Sequence, residues 1–327
     1  MDYQKVFETM VQETKKYLEN NNVWAMILGI SGGIDSTVTA AICHEVEKLN
    51  PELKFYGVSL PCSSNKETEN ESAEYCMRAF CKDEQWWTEN LQKEYMLMKA
   101  TCTQRHSPTT IGMGNIKARL RMIYLYDLAN YTSGIVMDTD NLTEHYLGFF
   151  TIHGDVCDLN PIGGLWKHEV YELAQWIRNY YNEQYTAQPS NNSLEEQEAL
   201  LRKVRALDRA IGIMPTDGNG VNQFGDMGQI APAFIHDNNI EAYAKVDDII
   251  KTYIEYRDRD PREYQIEMNE LRMNYDIDND RITCHTVDDI ISRINRTEYK
   301  RKGLPVVVPR EKYDSPEEYA AKISNNI

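Results

Sequence analysis

The sequence predicts an α/β protein with a doubly wound parallel sheet flanked by helices, and a mostly helical C-terminal elaboration. Two apolar runs, Trp24–Ile30 and Lys54–Ser59, are each followed by a polar turn and a stretch with helical periodicity. Short links between such strand and helix patterns are typical of β-α-β units, which build parallel sheets. In these sheets ligands bind beyond the carboxyl ends of the strands.

Composition limits the classes of partner and compartment. The 327 residues are enough for a sizeable core, and we expect one domain over residues 1–327. The formal net charge of −16 argues against a nucleic-acid partner, because that partner is a polyanion. We expect no membrane association, since no apolar run is long enough to span a bilayer and the first residues form a charged amphipathic helix. The seven cysteines lack C-x-x-C spacing, which favours free thiols and a cytoplasmic location.

The first strand leads into Gly29–Ser36, which reads GISGGIDS, and then into a helical pattern that reaches about Leu49. A helix start has unpaired N–H groups and the positive end of the helix dipole. Gly32 and Gly33 allow close approach of a ligand, and Asp35 is able to hold a divalent cation. The stretch therefore predicts a phosphate site, although a plain tight turn also fits two adjacent glycines. Neither the Walker A loop nor the G-x-G-x-x-G fingerprint matches it.

The second strand, Lys54–Ser59, ends at Leu60-Pro61. A helix is predicted around Thr68–Cys81, and Trp86-Trp87 is expected to begin a short third strand. Because the loop after a parallel strand faces the ligand, we expect backbone groups of Leu60 to lie near the base of a nucleotide.

The next predicted elements are a loop over Arg105–Gly114 and a helix from residue 115 to about residue 131. Lys117 and Arg121 are interpreted as solvated charges. Arg119 borders the apolar stripe, so its guanidinium needs an anionic partner, either a structural carboxylate or a substrate group. The stripe itself is predicted to consist of Ile116, Leu120, Ile123 and Leu128.

A further strand, Ile135–Asp138, leads into a loop that is rich in Asp, Glu and Thr. Glu144 in this loop is available as a second magnesium ligand beside Asp35, because Mg²⁺ prefers carboxylate and phosphate oxygens. Thr139 to Thr143 also fit a simpler role as the cap of the following helix.

Lys167 begins an amphipathic helical pattern. A lysine at a helix start is unfavourable with respect to the helix dipole, so we expect a nearby anion such as a triphosphate. Residues 191–296 are predicted to form an enlarged, mostly helical insertion within the domain. This insertion contains the glycine-rich stretch Gly218–Gly228, expected on the surface, and two copies of Val-Asp-Asp-Ile-Ile, at Val246 and Val287, each expected to begin a helix.

Several motifs together resemble one family. SGGIDS alone resembles the pyrophosphate loop of the N-type ATP pyrophosphatases, and with GNIKARLRM, TDNLTE, GFFTIHGD and DLNP it resembles the ammonia-dependent NAD synthetases. The resemblance covers about Tyr3 to Ser190 and returns near Thr297–Gly303. It implies the adenine nucleotide alpha hydrolase-like fold and ATP-dependent amidation of deamido-NAD with ammonia, through an adenylated carboxylate. It also implies Mg²⁺, ATP as co-substrate and a homodimer.

The resemblance and the loop reasoning assign roles to individual residues. Asp155, which handles ammonia, and Lys167 are the expected catalytic residues, and Asp35 and Glu144 the expected magnesium ligands. The expected ATP contacts are Gly29, Ser31, Gly32, Gly33, Asp35, Ser36, Leu60, Thr139, Lys167 and Ser190. The expected deamido-NAD contacts are Arg119, His153, Asp158, Tyr299 and Lys300.

The chain also departs from the family pattern. Ile152 stands where the family has a substrate-binding lysine, with His153 as a possible substitute, and Tyr299 stands where it has a histidine. Asp138 replaces a glycine. These departures leave two alternatives open: a related enzyme with another acceptor, or a nucleotide-binding protein without turnover. Because a glutamine-hydrolysing module needs a domain of its own, we expect free ammonia or a separate donor protein as the nitrogen source.

Overall fold

The computed structural model has a four-stranded parallel sheet at its centre, in the order β3-β2-β1-β4. The structure describes residues 1–62, 67–107, 109–187, 193–213, 215, 226–279 and 282–301. The strands are β1 (Ala25–Gly29), β2 (Lys54–Ser59), β3 (Trp86–Thr88) and β4 (Gly134–Val136). Because the order reverses at β1, the loops after β1 and β4 lie side by side at the carboxyl edge of the sheet, where ligands bind in doubly wound folds.

The central strand β1 is buried on both faces. Met26 and Leu28 belong to the larger core cluster, whereas Ala25 and Ile27 face a smaller one on the other side of the sheet. This alternation follows from the two-residue period of a strand, and helices on both faces explain why the strand is apolar throughout.

Helices cover the two faces unequally. The larger core lies under α1 (Tyr3–Asn20), α2 (Ile34–Leu49), α3 (Glu67–Phe80), α7 (Lys167–Ala187) and α8 (Leu194–Gly212). The smaller core lies under α4 (Gln92–Thr103) and α5 (Thr110–Thr132). A short helix, α6 (Leu142–Leu147), follows the loop after β4.

The C-terminal part is mostly helical in its described residues, as predicted. It consists of α9 (Met227–Ile230), α10 (Asn239–Tyr256), α11 (Pro261–Tyr275), the antiparallel pair β5 (Ile277–Asn279) and β6 (Ile282–Cys284), α12 (Thr286–Arg296) and α13 (Glu298–Arg301). Val246, Ile249 and Ile250 of α10 are buried in the larger core, where α10 packs against α7. No helix in the described ranges is both long enough and apolar enough to cross a bilayer.

Two predicted boundaries are wrong. The loop expected over Arg105–Gly114 ends early, because α5 begins at Thr110 and the hydroxyl of Thr109 accepts the Gly112 N–H at 3.0 Å. This side-chain cap starts the helix despite its glycines. Val246 lies in the middle of α10, which is capped by Asn238, whereas Val287 begins α12 as expected.

The inward face of α5 also differs from the predicted stripe. Lys117 is 6% exposed and its ammonium lies 5.2 Å from the centre of the Tyr95 ring, while Ile123 is 58% exposed. Arg121 donates from Nε to the carbonyl of Leu60 at 2.9 Å, so neither cation is simply solvated. The stripe was misjudged because a long cationic side chain is able to bury its methylene stem beside aromatic and carbonyl groups.

Candidate active site

The predicted phosphate loop connects β1 to α2 as expected. Gly33 precedes the first turn of α2, and the Ser31 hydroxyl accepts the Gly33 N–H at 3.2 Å. The hydroxyl oxygens of Ser31 and Ser36 lie 3.1 Å apart, and Ser36 also donates to the Gly33 carbonyl at 3.1 Å. The two hydroxyls thus lie together with the first N–H groups of α2, just after β1 ends. The positive end of the dipole of this 16-residue helix points to the same place.

The two glycines of this loop have different roles. Gly32 has φ of +80°, and a Cβ built on it would lie 2.4 Å from the backbone nitrogen of Ala73 in α3. Gly33 has an ordinary φ of −75°, and a Cβ there would contact only the Ser31 hydroxyl at 3.4 Å. Only Gly32 is therefore required by the fold itself.

Lys167 joins the loop after β1 to the loop after β4. Its side chain is 2% exposed, and its Nζ lies 2.5 Å from Oδ2 of Asp35 and 3.0 Å from Oε1 of Glu144. Asn141 completes the arrangement, because its Nδ2 donates to Oδ1 of Asp35 at 2.9 Å. Asn141 and Glu144 also form a reciprocal capping box at the start of α6. The anion that the sequence demanded near Lys167 is thus, in this structure, a pair of carboxylates.

Burial shifts the pKa values of the charged groups in and beside this cluster. It raises the pKa of Glu144 to about 7, although Lys167 opposes the shift. Burial and the nearby Asp138 carboxylate raise the pKa of Asp140 well above its usual range. Burial works against the charge of Lys167, yet Asp35 and Glu144 hold its pKa well above the usual value. Buried groups with strongly shifted pKa values that share one charged partner mark this cluster as a candidate functional site.

Helix α10 supplies two site residues that sequence reasoning missed. The ring centre of Tyr243 lies 5.6 Å from Nζ of Lys167, and this ring stacks on Tyr171. Asp247 is fully buried and accepts hydrogen bonds from the Thr143 hydroxyl and from the backbone N–H of His168. Asp247 belongs to the first Val-Asp-Asp-Ile-Ile copy, but no local pattern indicates a role beside Lys167 for Asp247 or Tyr243, because their roles depend on how α10 packs against α7.

Asp155 and Arg119 both bind backbone groups of the turn that follows α6. Oδ2 of Asp155 accepts the Thr151 N–H at 2.5 Å and closes the turn. Arg119 donates from Nε and Nη2 to the carbonyl of Ile152, at 3.3 and 3.2 Å. The partner of Arg119 in this structure is thus a backbone oxygen. His153 is exposed at the apex of the turn, with φ of +57°.

Asp158 lies beside the sheet and not in the Lys167 cluster. Its Oδ1 accepts from the hydroxyl of Tyr126 at 3.0 Å, and its Oδ2 accepts from the backbone N–H of Val136 at 2.9 Å. Asp138, which stands where the family pattern has glycine, accepts the Cys157 N–H at 2.7 Å and so ties the same loop to β4.

The last predicted site residues lie on α13. Nζ of Lys300 donates to the carbonyls of Gly148 and Phe150, at 2.7 and 2.5 Å, whereas Tyr299 is 57% exposed. Lys300 thereby holds the segment that precedes the Asp155 turn. Ser190 lies outside the described residues, as does most of Gly218–Gly228. Leu60 and Thr139 follow the carboxyl ends of β2 and β4, at the edge where doubly wound folds bind ligands.

The carboxylates beside Lys167 are the candidate ligands of a magnesium ion. Asp35 and Glu144 are close enough to share one cation, here the ammonium of Lys167. Within the described part of the chain, no group of three or more His, Cys, Asp or Glu side chains is arranged to hold a metal. Two carboxylates fit Mg²⁺, which usually takes one or two protein carboxylates and completes its shell with water and substrate phosphates.

A family model described as NAD synthase matches residues 6–213, which is more than half of the chain. The chain belongs to the NAD synthase family. An NH3-dependent NAD+ synthetase of Campylobacter jejuni is 32% identical over 190 residues, covering 56% of this chain and 71% of the relative. The corresponding protein of Methanocaldococcus jannaschii is 36% identical over 185 residues, covering 52% and 66%.

Solved structures agree with this family assignment at the level of the fold. An NMN synthetase from Francisella tularensis has a TM-score of 0.65 at 22% identity, covering 94% of this chain and 99% of that chain. An NH3-dependent NAD synthetase from Campylobacter jejuni has a TM-score of 0.58 at 22% identity, covering 94% and 100%. The family match ends at residue 213, whereas the likeness in fold extends into the C-terminal helices.

Proposed function

We propose that this member of the NAD synthase family amidates deamido-NAD with ammonia and ATP, giving NAD, AMP and pyrophosphate. The observation that carries the proposal is the meeting of the phosphate loop, Asp35, Glu144 and Lys167 at the edge of the sheet. The choice of deamido-NAD as acceptor is supported by the family match and by relatives that are named NH3-dependent NAD+ synthetases.

Activation of the acid is required because a carboxylate does not react with an amine while oxide is its leaving group. The carboxylate oxygen attacks the α-phosphorus of ATP, the bond to the bridging oxygen breaks, and pyrophosphate leaves. The Lys167 ammonium and the N–H groups at the start of α2 are proposed to neutralise the charge that pyrophosphate develops. The described chemistry needs no protein nucleophile.

Ammonia then attacks the acyl carbon of the adenylate, and AMP leaves with the bonding electrons. Because ammonium is not nucleophilic, a base must remove a proton from ammonium or from the adduct. Asp155 is proposed for this role, and Arg119, bound to the same turn, is proposed to hold deamido-NAD together with His153, Asp158, Tyr299 and Lys300.

Magnesium is proposed as the metal of this site, held by Asp35 and Glu144. When bound, it would supply positive charge to the oxygens of the triphosphate. The contacts of ATP with the remaining loop residues, with Leu60 and Thr139 and with Ser190 are proposed on the same resemblance.

A cytoplasmic homodimer is proposed as the working form. The six cysteines whose side chains the structure describes form no disulfide, which suits a reducing compartment. Several large apolar side chains are exposed on α4 and α5, which pack against each other, and we propose that a second copy covers some of them. These residues are Met96, Leu97, Ile111, Ile123 and Tyr131.

Replacing Ile123, which is 58% exposed, by Glu is expected to weaken that dimer, because a charge would then have to be buried at an apolar contact. Sedimentation velocity of the wild-type protein and of Ile123→Glu, at equal concentration, measures the fraction of dimer in each. Val156→Glu on another exposed position is the control, with no change expected. A dimer that persists unchanged in Ile123→Glu would contradict the proposed surface.

The reaction is tested with purified protein, ATP, magnesium, deamido-NAD and ammonium. NAD, AMP and pyrophosphate are expected in equal amounts. Formation of ADP in place of AMP would rule out the proposed adenylation, and NAD formed without ammonium would rule out ammonia as the nitrogen donor.

A second candidate keeps adenylation but changes the acceptor. It is favoured by Ile152, which offers only a backbone carbonyl, to Arg119, where the family pattern has a substrate-binding lysine. Nicotinic acid mononucleotide, which lacks the adenylate half of deamido-NAD, is therefore assayed in parallel. A higher kcat/KM with the mononucleotide would favour this candidate.

A further inference from the structure

We propose that Asp247 is a positioning residue for Lys167: α10 fixes the start of α7, and with it the lysine proposed to bind the phosphates of ATP. The inference rests on the proposed function and adds to it a residue that lies outside the phosphate loop and its neighbouring loops. It is carried by a chain of buried hydrogen bonds from α10 through α6 to α7.

The first link joins Asp247 to α6. The Thr143 hydroxyl donates to Oδ1 of Asp247, and both side chains are buried, at 1% and 0% exposed. Because the proton of this hydroxyl is used in that bond, its oxygen is left to accept. It accepts the backbone N–H of Lys167 at 2.9 Å.

The second link joins Asp247 directly to α7. Its Oδ2 lies 3.1 Å from the backbone nitrogen of His168, which donates to it, and 2.7 Å from Nδ1 of the same residue. The Trp166 N–H is taken by Glu169 at 2.9 Å. The N–H groups of Trp166, Lys167 and His168 at the start of α7 are therefore bound by protein side chains, and the Lys167 side chain is the group proposed to meet a ligand.

The charge of Asp247 also compensates an unfavourable feature of α7. Lys167 places a cation at the positive end of the helix dipole, and a buried carboxylate at the same end offsets this. Tyr243, one turn before Asp247 on α10, covers the Lys167 ammonium at 5.6 Å from its ring centre. One helix therefore supports both the backbone and the side-chain tip of the lysine.

These contacts predict a specific effect on nucleotide binding. If the first turn of α7 loses its anchor, the Lys167 ammonium no longer holds one position between Asp35 and Glu144. Losses of about tenfold or more are typical when a supporting hydrogen bond behind a ligand-binding side chain is removed. A residue with a purely structural role would lower stability without changing the affinity of the folded protein.

The test uses the full chain and the affinity for magnesium with α,β-methylene-ATP, which is not cleaved, measured by calorimetry. Thr143→Val keeps the shape of the side chain but removes both hydrogen bonds, and is expected to weaken binding about tenfold or more. Thr143→Ser keeps the hydroxyl and is expected to retain affinity within about twofold. Asp247→Asn, which removes the charge, is expected to weaken binding at least as much as Thr143→Val.

Tyr253→Phe is the matched control. It removes a hydrogen bond of the same helix, from the Tyr253 hydroxyl to Asn295 at 2.7 Å, away from Lys167. It is expected to lower the melting temperature and leave the affinity unchanged. The proposal is overturned if Thr143→Val and Asp247→Asn behave like Tyr253→Phe. If the wild-type protein makes no NAD, the proposed function fails, and the binding comparison still decides the role of Asp247.

Discussion

At the scale of single residues, the turn at Thr151–Asp155 holds the carboxylate that we propose as the base. Oδ2 of Asp155 is occupied by the Thr151 N–H, while the described residues offer no donor to its Oδ1. The Thr151 hydroxyl is in turn bound to Asn115 of α5 at 2.9 Å. The turn is therefore fixed by its own backbone and by α5, and it leaves one oxygen of Asp155 available to accept a proton.

Replacing Asp155 by Asn is expected to slow NAD formation about 100-fold, because the amide accepts the Thr151 N–H but no proton. Pyrophosphate release in the first turnover is expected to continue, since adenylation does not require this base. Rapid-quench measurement of AMP, pyrophosphate and NAD separates the two steps. Raising the pH should partly restore NAD formation by supplying neutral ammonia, whereas an unchanged rate at neutral pH would refute the role of Asp155.

At the scale of elements, the strand–loop–helix unit β1–α2 depends on one close contact with α3. Gly32 lies against the backbone of Ser72 and Ala73, at distances that leave no room for a Cβ. Gly33, the residue before the first turn of α2, meets no such limit. Two adjacent glycines that look equivalent in the sequence therefore differ in what they do for the fold.

Gly32→Ala is expected to destabilise the protein by about 2 kcal/mol or more, because a Cβ adds steric strain at positive φ as well as the clash with α3. Gly33→Ala, with ordinary φ, is the matched control and is expected to keep its stability. Urea unfolding gives both values. If the loop binds phosphate closely, Gly33→Ala should still weaken ATP binding, so stability and affinity respond to different glycines. Equal stability of the two variants would contradict this assignment.

At the scale of the whole molecule, a buried polar network joins α2, α7 and α8. Nδ1 of His44 lies 2.8 Å from the Phe80 carbonyl and must donate to it, so Nε2 accepts from Lys203 of α8 at 2.7 Å. The Lys203 ammonium also lies 4.9 Å from the ring centre of Tyr181, whose hydroxyl donates to Glu45. Burial lowers the pKa of Lys203 to about 8 and that of His44 to about 4.

This network predicts a contribution to stability that rises with pH. Between about 8 and the usual value of 10.5, the unfolded chain binds the Lys203 proton more tightly than the folded protein does, so the contribution of Lys203 to the free energy of unfolding increases across this window. The full shift of the Lys203 pKa, from 10.5 to about 8, corresponds to about 3 kcal/mol in the free energy of unfolding. In Lys203→Met this rise should be missing, and urea unfolding of both proteins from pH 7 to 10 measures the difference. Parallel pH profiles would show that Lys203 is not the responsible group.

The sequence alone determined the parts of this protein that depend on neighbouring residues. The strand–loop–helix order around Gly29–Ser36, the strand Lys54–Ser59 and the helix beginning at Lys167 follow from local periodicity and turn chemistry. The same local motifs carried the family resemblance, which the NAD synthase match confirmed. The helix dipole predicts an anion near Lys167, and the structure shows two carboxylates there, while the triphosphate stays a prediction.

Only the tertiary structure decided which groups meet. It identified Asp35 and Glu144 as the anions, brought Asp247 from α10 to the start of α7, and buried Lys117, which the sequence pattern had placed in solvent. Such contacts join segments far apart in the chain, so no local pattern encodes them. Burial then shifts the pKa of each charged group, because a group removed from water is stabilised only by the partners that packing brings next to it.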